Sequence, residues 1–319
     1  MEALSARRTE TFSYRFFERI PADTLIKLRD TAGRVITDRA RQGDLFSTPA
    51  TLDPIPEIPV RTPPAVPGLA EILSPSQVRN FQDCQARWWY KYGQKIPETM
   101  TSARALGIAV HEALAFNFAQ KIESRKDLGP EEVVYIFGQR WDDITKWTEF
   151  RADESPAEMK AKGEALVRLY MTARAPQVQP AAVEVAVDGE IAGVKVRGKV
   201  DVIDEAGAIN DVKTACKKPS SIDGSYRSQV ATYSQLAPGA SGLVRLDTIV
   251  KTKVPQLVSQ EWRIDASDLH GIETLYPLAQ AAMLKGYYMP NRQSTLCSRR
   301  QCSYWRHCQA DYGGTVEES

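Results

Sequence analysis

The feature that most constrains the fold of this chain is the stretch 198–214, where two segments rich in Val and Ile flank a turn at 205–207. This pattern predicts a β-hairpin. The last residue of a three-residue hairpin loop usually has positive φ, and Gly207 suits that position. A turn centred on residue 206 pairs Ile203 with Ile209 and thereby fixes the register of the whole hairpin.

Three charged side chains are brought together by this register. Asp201 lies opposite Asp211, with Cβ atoms about 5 Å apart, and the alternation of a strand places Lys213 beside Asp211 on the same face. Two carboxylates this close repel each other and are costly to desolvate. A divalent cation between them removes both problems, and oxygen ligands suit Mg²⁺ or Mn²⁺. The alternative is the solvated outer face of an ordinary strand.

Short motifs flank the hairpin on both sides. In chain order, the motif residues are Gly107 and His111, Gly198 and Asp201, Asp211 and Lys213, and Gln229 and Tyr233. This order resembles the RecB-type nucleases of the PD-(D/E)XK superfamily, including CRISPR-associated exonuclease-like members that carry a four-cysteine iron–sulfur cluster. The resemblance covers about residues 73–310.

The resemblance implies an α/β fold with a restriction-endonuclease-like core, in which helices flank a mixed central sheet. It also implies metal-dependent hydrolysis of DNA by an exonuclease that acts on single strands or DNA ends, in repair, recombination or phage DNA processing. A catalytically inactive scaffold of the same fold, which binds DNA or a partner, is one alternative, although opposed carboxylates have no evident use there. A redox sensor built on the cysteines is another.

The resemblance also assigns roles to single residues. The implied metal ligands are His111, Asp201, Asp211 and the backbone carbonyl of Val212. Lys213 would orient and help to deprotonate the attacking water, or neutralise the charge that builds on the phosphate. Gln229 and Tyr233, four residues apart on one helix, would contact the nucleic acid, and Glu184 stands where the family often has an acidic residue near the metal.

Three cysteines near the end of the chain, Cys297, Cys302 and Cys308, lie in a segment without helix or strand periodicity. Metal ligation explains such a group, because gathered thiolates gain a rigid centre in place of a hydrophobic core. Of the two remaining cysteines, the family position favours Cys84 as fourth ligand and leaves Cys216 as a free thiol. The implied group is a [4Fe–4S] cluster that joins the two ends of the domain. Zn²⁺ is the alternative, because four thiolates suit it equally.

The segment around these cysteines also mixes basic and aromatic side chains, which suits single-stranded nucleic acid. These residues are Arg299, Arg300, Tyr304, Trp305, Arg306 and His307. The net charge of the chain is only +1, so any DNA site is a local basic patch rather than a uniformly basic surface. The chain has no Walker A motif, and any unwinding would come from a helicase or recombination partner.

Four segments follow from composition and pattern. Residues 1–47 form a partly helical extension, 48–72 a proline-rich linker and 313–319 a flexible tail, and the resemblance implies that the segment between them, 73–312, is the nuclease domain with its cluster. The peptide Gln42–Phe46 resembles the motif with which bacterial DNA enzymes bind the sliding clamp, although Gly43 departs from that motif. A hydrophobic contact at the end of a helix is the alternative for this peptide.

No apolar run approaches the length of a membrane span, and the N-terminus lacks the core of a signal peptide. We therefore expect no membrane contact and a cytoplasmic location, in a bacterium or a phage-infected cell. In that compartment five cysteines are ligands or free thiols rather than disulfides.

Periodicity and capping signals predict the elements of the domain. Helices are expected at about 74–92, 102–122, 130–148, 155–175, 220–236 and 267–286, and strands at about 182–190, 193–204, 208–214, 243–252 and 256–264.

Overall fold

A computed structural model describes residue 66 and residues 68–222 and 224–318 of the chain. The predicted extension, most of the linker and the clamp-like peptide Gln42–Phe46 lie outside these residues. The strands are β1 (Ile72–Leu73), β2 (Pro180–Ile191), β3 (Val194–Asp204), β4 (Ile209–Ala215), β5 (Leu243–Val250) and β6 (Gln256–Arg263). The α-helices are α1 (Pro75–Asp83), α2 (Gln85–Trp88), α3 (Ser102–Ser124), α4 (Pro130–Ile144), α5 (Pro156–Ala173), α6 (Gly224–Leu236), α7 (Ala266–Lys285) and α8 (Trp305–Tyr312).

The predicted hairpin is formed by β3 and β4. Ile203 pairs with Ile209 as expected, and Gly207 has φ of 72°. A side chain at Gly207 would also be too close to the backbone, because its Cβ would lie 2.4 Å from the carbonyl oxygen of Gly239. Glycine is therefore required at this turn for two reasons, the positive φ and the lack of room for a Cβ beside the Gly239 backbone.

The sheet has six strands and mixes both directions. Its order is β1-β3-β4-β5-β6, with β2 paired to the other edge of β3; β1 is parallel to β3, β4 is parallel to β5, and the remaining pairs are antiparallel. One edge of β3 is shared by two partners, since β1 pairs at Lys195 and Val196 and β4 pairs at Val202 and Ile203. Between these pairs that edge carries no strand pairing, and Asp201 lies at the end of the gap.

Helices cover both faces of the sheet. Helices α3, α4 and α5 pack in one core cluster with Val202, Val212 and Ile249. Helix α6 packs in another with Ile203 and Ile209, whose side chains point to the opposite face of β3 and β4 from those of Val202 and Val212. This arrangement confirms the expected α/β fold with a mixed sheet flanked by helices.

The first predicted helix is interrupted at Cys84, which corrects the single helix expected over 74–92. It begins as predicted, with the Ser74 hydroxyl accepting a hydrogen bond from the Gln77 amide at 3.2 Å. Cys84 is extended, with φ of −159° and ψ of 111°, and α2 and a π-helical turn at Trp89–Gly93 follow it. The break places the thiol beside the C-terminal segment, where the Asn291 amide lies 3.4 Å from its sulfur.

The two ends of the predicted domain are more ordered than the sequence indicates. Ile72 and Leu73, assigned to the linker, form β1. The segment at 313–318, expected to be a flexible tail, packs on the cysteine loop: Val316 is 2% exposed, and its carbonyl accepts a hydrogen bond from the Arg299 guanidinium at 2.8 Å. Cys308 lies on helix α8, which the spacing of the cysteines did not predict.

The other predicted helices are found within a few residues of their expected bounds. The hydroxyl of Ser155 caps α5 by accepting a hydrogen bond from the Glu158 amide at 3.3 Å. Among residues 66, 68–222 and 224–318, no helix combines the length and the apolar character needed to cross a membrane.

Candidate functional site

An open cleft of about 850 Å³ lies between α3 and the hairpin. His111, Glu184, Asp201 and Lys213 line it together. Helix α3 approaches the end of β4 closely at Gly107, where a Cβ would lie 3.4 Å from the Thr214 hydroxyl. The glycine of the first motif therefore lets the helix carry His111 down to the sheet.

Asp201 occupies the point where β3 and β4 separate. The ladder between the strands ends at Val202 and Asn210, one pair before the predicted opposition of Asp201 and Asp211. Asp201 Oδ2 instead accepts a hydrogen bond from the Val212 amide at 3.3 Å and lies 3.5 Å from His111 Nδ1. One carboxylate oxygen thus joins the helix to the hairpin.

Asp211 is only 2% exposed. Its Oδ1 accepts hydrogen bonds from Lys213 Nζ at 2.9 Å and from Gln229 Nε2 at 3.4 Å. Lys213 Nζ is also 2.7 Å from Oδ2, but this second contact lacks hydrogen-bond geometry, and Oδ2 is buried without a donor. A buried carboxylate oxygen that lacks a donor is a ready ligand for a cation.

The electrostatics of this pair reflect its burial. Desolvation raises the pKa of Asp211, and Asp201 adds to this effect while Lys213 opposes it. Burial alone would lower the pKa of Lys213, but the Asp211 and Asp201 carboxylates outweigh it, and the net direction is upward. Lys213 is therefore held as an ammonium ion.

Glu184 interrupts the regular alternation of β2 directly across from Asp201. Its φ is 56°, a left-handed conformation that is unusual for glutamate. Val183 and Val202 pack in the cluster with α3, whereas Val185 packs in the cluster with α6. The strand therefore changes face at Glu184, and its carboxylate pairs with the Lys199 ammonium at the edge of the cleft.

Gln229 and Tyr233 lie beside the acidic residues, and most of Tyr233 is buried. Tyr233 is 7% exposed, and its ring fills the space left by Gly198, where a Cβ would be 2.7 Å away. The Tyr233 hydroxyl accepts a hydrogen bond from Gln229 Nε2 at 3.3 Å. The Tyr233 hydroxyl thus lies behind the Gln229 amide, which points toward Asp211, and the motif glycine makes room for the ring.

These residues suit a divalent cation in donor type. Within the described residues, however, no three His, Cys, Asp or Glu side chains are grouped closely enough to hold one metal ion. The Lys199 and Lys213 ammonium groups neutralise Glu184 and Asp211. A cation would therefore compete with these lysines for the carboxylates.

The four cysteines named for the cluster line one cavity, whereas Cys216 is exposed and lies outside it. Burial raises the pKa of Cys308 to about 11, and Cys84, Cys302 and Cys297 each add to this rise. The four thiols are therefore neighbours, in spite of the distance between them in the sequence. Burial also raises the pKa of Cys302.

The basic and aromatic residues around the cysteines are divided between core and surface. Tyr304 is buried and donates a hydrogen bond to the Ile96 carbonyl at 3.2 Å. Trp305 contacts the guanidinium groups of Arg299 and Arg306, at 4.8 Å and 5.1 Å from the ring centroid. Tyr304 apart, the predicted residues remain at the surface, because Arg299, Arg300, Arg306 and His307 are exposed and Trp305 is partly exposed.

Several residues around the cleft were missed by sequence reasoning. Arg104 and Arg140 line it, and Arg104 also lines a second groove next to it. Arg104 precedes His111 by seven residues, which is two turns along one helix face, so helical spacing from the motif histidine would have identified it. No local signal marks Arg140, which lies on α4 and reaches the cleft only through helix packing.

Comparisons with known proteins agree with this geometry. Residues 72–309 match the PD-(D/E)XK nuclease superfamily. A crystal structure described as that of a "Putative exonuclease" from Eubacterium rectale is 14% identical, covers 78% of this chain and 91% of its own, and has a TM-score of 0.51, a likeness that concerns the fold. The crystal structure of SSO0001 is 11% identical and covers 75% of this chain and 96% of its own, but its TM-score of 0.32 is too low to support a conclusion about the fold. No curated protein matches the sequence significantly.

Proposed function

Because the chain belongs to the PD-(D/E)XK nuclease superfamily, we propose that it is a metal-dependent DNA exonuclease of the RecB-like type that acts on single strands or DNA ends. The observation that carries this proposal is the grouping of Asp201, Asp211 and Lys213 where two neighbouring strands separate, with one buried oxygen of Asp211 lacking a donor. A strand with a purely structural role has no need of two carboxylates and a lysine at this point, since burying charged groups is costly even when they are paired.

The groups that would hold Mg²⁺ or Mn²⁺ are His111, Asp201, Asp211 and the Val212 carbonyl, with Glu184 as a further candidate. A bound ion supplies Lewis acidity at the phosphate and a hydroxide-forming water. Asp201 already connects His111 to the hairpin, so loss of its carboxylate would disturb both neighbours. Gln229 keeps Asp211 oriented through its amide.

Lys213 neutralises the negative charge that develops on the phosphate. The two carboxylates raise its pKa, so the side chain is charged in the metal-free protein and is a poor general base there. Of the two roles implied by the family, charge neutralisation therefore has the better support.

The cysteine cavity would hold a [4Fe–4S] cluster, with Cys84, Cys297, Cys302 and Cys308 as ligands. The convergence of these four thiols on one cavity supports the ligand set. Zn²⁺ would use the same four thiolates. The centre would fasten α1 and α2 to the C-terminal segment.

The partners we propose are DNA with a free end and a helicase or recombination protein that supplies unwinding, in the cytoplasm of a bacterium or a phage-infected cell. The processes would be DNA repair, recombination or phage DNA processing. A sliding clamp remains a proposed partner through Gln42–Phe46.

The test is cleavage of single-stranded and duplex DNA, labelled at the 5′ or the 3′ end, in Mn²⁺ or Mg²⁺. We expect progressive shortening from one end of the single strand, and none by the Asp211→Asn variant. Equal cleavage by this variant and the wild type would overturn the assignment of the site. Iron, sulfide and zinc analysis of the same preparation identifies the cysteine-bound metal.

A further inference from the structure

A second open groove, of about 790 Å³, lies next to the cleft that contains Asp201 and Glu184, which is called the acidic cleft below. Its walls carry Arg79, Arg87, Lys91 and Arg104, together with the aromatic ring of Tyr92. Arg104 lines both spaces, so the basic groove and the acidic cleft meet at this side chain. A molecule that lies in one space can continue into the other.

The charges of the groove are only partly neutralised. Arg87, Lys91 and Arg104 share the carboxylate of Glu98, at distances of 3.1, 2.6 and 2.9 Å, and Arg87 also lies 3.6 Å from the carboxylate of Asp83, which lines the groove. Arg79 is exposed and pairs with no carboxylate among the residues that the structure describes. The groove therefore offers an excess of positive charge to an anionic ligand.

Tyr226 connects this groove to the proposed catalytic lysine. The Arg79 guanidinium lies 4.6 Å from the centroid of the Tyr226 ring, and Lys213 Nζ lies 5.7 Å from the same centroid. Cations at such distances are attracted to the ring face. A cation of the groove and the ammonium group beside Asp211 therefore contact the same ring.

We propose that the basic groove binds the nucleotides of one unpaired DNA strand on one side of the scissile phosphate, with Arg79 and Arg104 at its phosphates and Tyr226 positioning Arg79. This inference rests on the proposed nuclease function. The volume suits about two nucleotides. The ring of Tyr92, which lines the groove, suits unpaired bases, which stack on aromatic side chains, better than paired ones.

The experiment measures binding of a fluorescein-labelled oligothymidylate by anisotropy at several salt concentrations. It uses protein carrying Asp211→Asn, so that the strand stays intact. Arg79→Gln is compared with Arg263→Gln, which removes an exposed arginine at the end of β6 that lines neither space. We expect about fivefold to tenfold weaker binding for Arg79→Gln and a salt slope reduced by about 0.7, with no change for Arg263→Gln.

Tyr226 gives a second readout. Tyr226→Phe keeps the ring and should bind as the parent does, whereas Tyr226→Ala should approach the affinity of Arg79→Gln. Equal affinities and salt slopes for Arg79→Gln and Arg263→Gln would overturn the groove, even if the wild type cleaves DNA. Duplex binding as tight as single-strand binding would also overturn it. Arg79-dependent binding by a wild type that never cleaves in Mn²⁺ would instead overturn the nuclease function and leave the groove standing.

Discussion

The acidic cleft and the cysteine cavity both gather ligands for a metal, but the fold builds them in opposite ways. The carboxylates come from the adjacent strands β3 and β4, and their positions follow from the register of one hairpin. The cysteines come from the two ends of the domain and meet only when those ends pack together. The cleft is open to solvent and charged, whereas Cys308 is buried among aromatic and aliphatic residues.

This difference separates chemistry from stability. Substitutions in the cleft remove charged groups, and the sheet keeps its fold without those groups. Substitutions in the cavity remove a link between segments about 200 residues apart, such as the one that Tyr304 makes with Ile96. We therefore expect the first class to abolish activity with little loss of stability, and the second to destabilise the fold.

The largest expected effect is on cleavage. Asp211→Asn, Asp201→Ala and Lys213→Ala should each reduce Mn²⁺-dependent cleavage by at least about a thousandfold, because each removes a charge that acts on the metal or the phosphate. Circular dichroism and the metal content of the cysteine site should remain those of the wild type. Loss of folding in all three variants would show that the two regions are not separable as argued.

The next effect is on stability. Cys84→Ala and Cys302→Ala should lower the free energy of unfolding alike, by about 3–5 kcal/mol, since either loss opens the metal centre. Iron content and visible absorbance should fall with it. Cys216→Ala is the matched control, because Cys216 is exposed and lies outside the cavity. A severe Cys216 phenotype with a mild Cys84 phenotype would reassign the fourth ligand.

A smaller effect links pH to divalent metal. Burial raises the pKa of Asp211 in the folded protein, so metal-free stability is lost as pH rises through that pKa. Mn²⁺ binds the ionised carboxylate, and its stabilising effect should grow over the same rise in pH, to about 5–10 °C in Tm at a hundredfold excess over Kd. Thermal melts across pH measure this, and Asp211→Asn should show no Mn²⁺ shift. A Mn²⁺ shift independent of pH would place the ion elsewhere.

The smallest effect concerns Tyr233. Burial, and then Asp211, raise its pKa to about 12, so the hydroxyl is neutral at any working pH. Tyr233→Phe keeps the ring against Gly198 and loses only the contact with Gln229, which should cost about 1 kcal/mol, or roughly fivefold in kcat. Tyr233→Ala should cost more, through lost packing. Unchanged kcat in Tyr233→Phe with weaker DNA binding would instead support a direct contact between the Tyr233 hydroxyl and nucleic acid.

Much of the cleft was predictable because its determinants are local. The alternation of β-branched residues and the single turn glycine fix the pairing of Ile203 with Ile209, and the positions of Asp201 and Asp211 follow. Helix α3 was likewise found from its apolar stripe, which carries His111 beside it. The left-handed backbone of Glu184 has no such signal, because glutamate rarely adopts it and only the packed sheet imposes it.

The break at Cys84 was unpredictable for a different reason. The interruption is stabilised by residues about 200 positions away, since the Ala86 amide donates to the Met289 carbonyl at 3.2 Å and Asn291 Nδ2 donates to the Asp83 carbonyl at 2.9 Å. Local sequence favours a continuous helix, and tertiary hydrogen bonds override it. The basic groove was missed because its four cations come from four helical segments, namely α1, α2, the π-helical turn at Trp89–Gly93 and α3.

The contacts between the two ends of the domain can form only after the residues between them have been synthesised. Tyr90 hydrogen-bonds Asp311, which lies 221 residues later in the chain. At about 5–20 residues per second a ribosome needs roughly 10–40 s to span that interval. Throughout it, Trp88 and Tyr90, both fully buried in the finished fold, lack their C-terminal cover. The nascent protein therefore exposes an aromatic surface of the kind that chaperones bind, until its last helix leaves the ribosome.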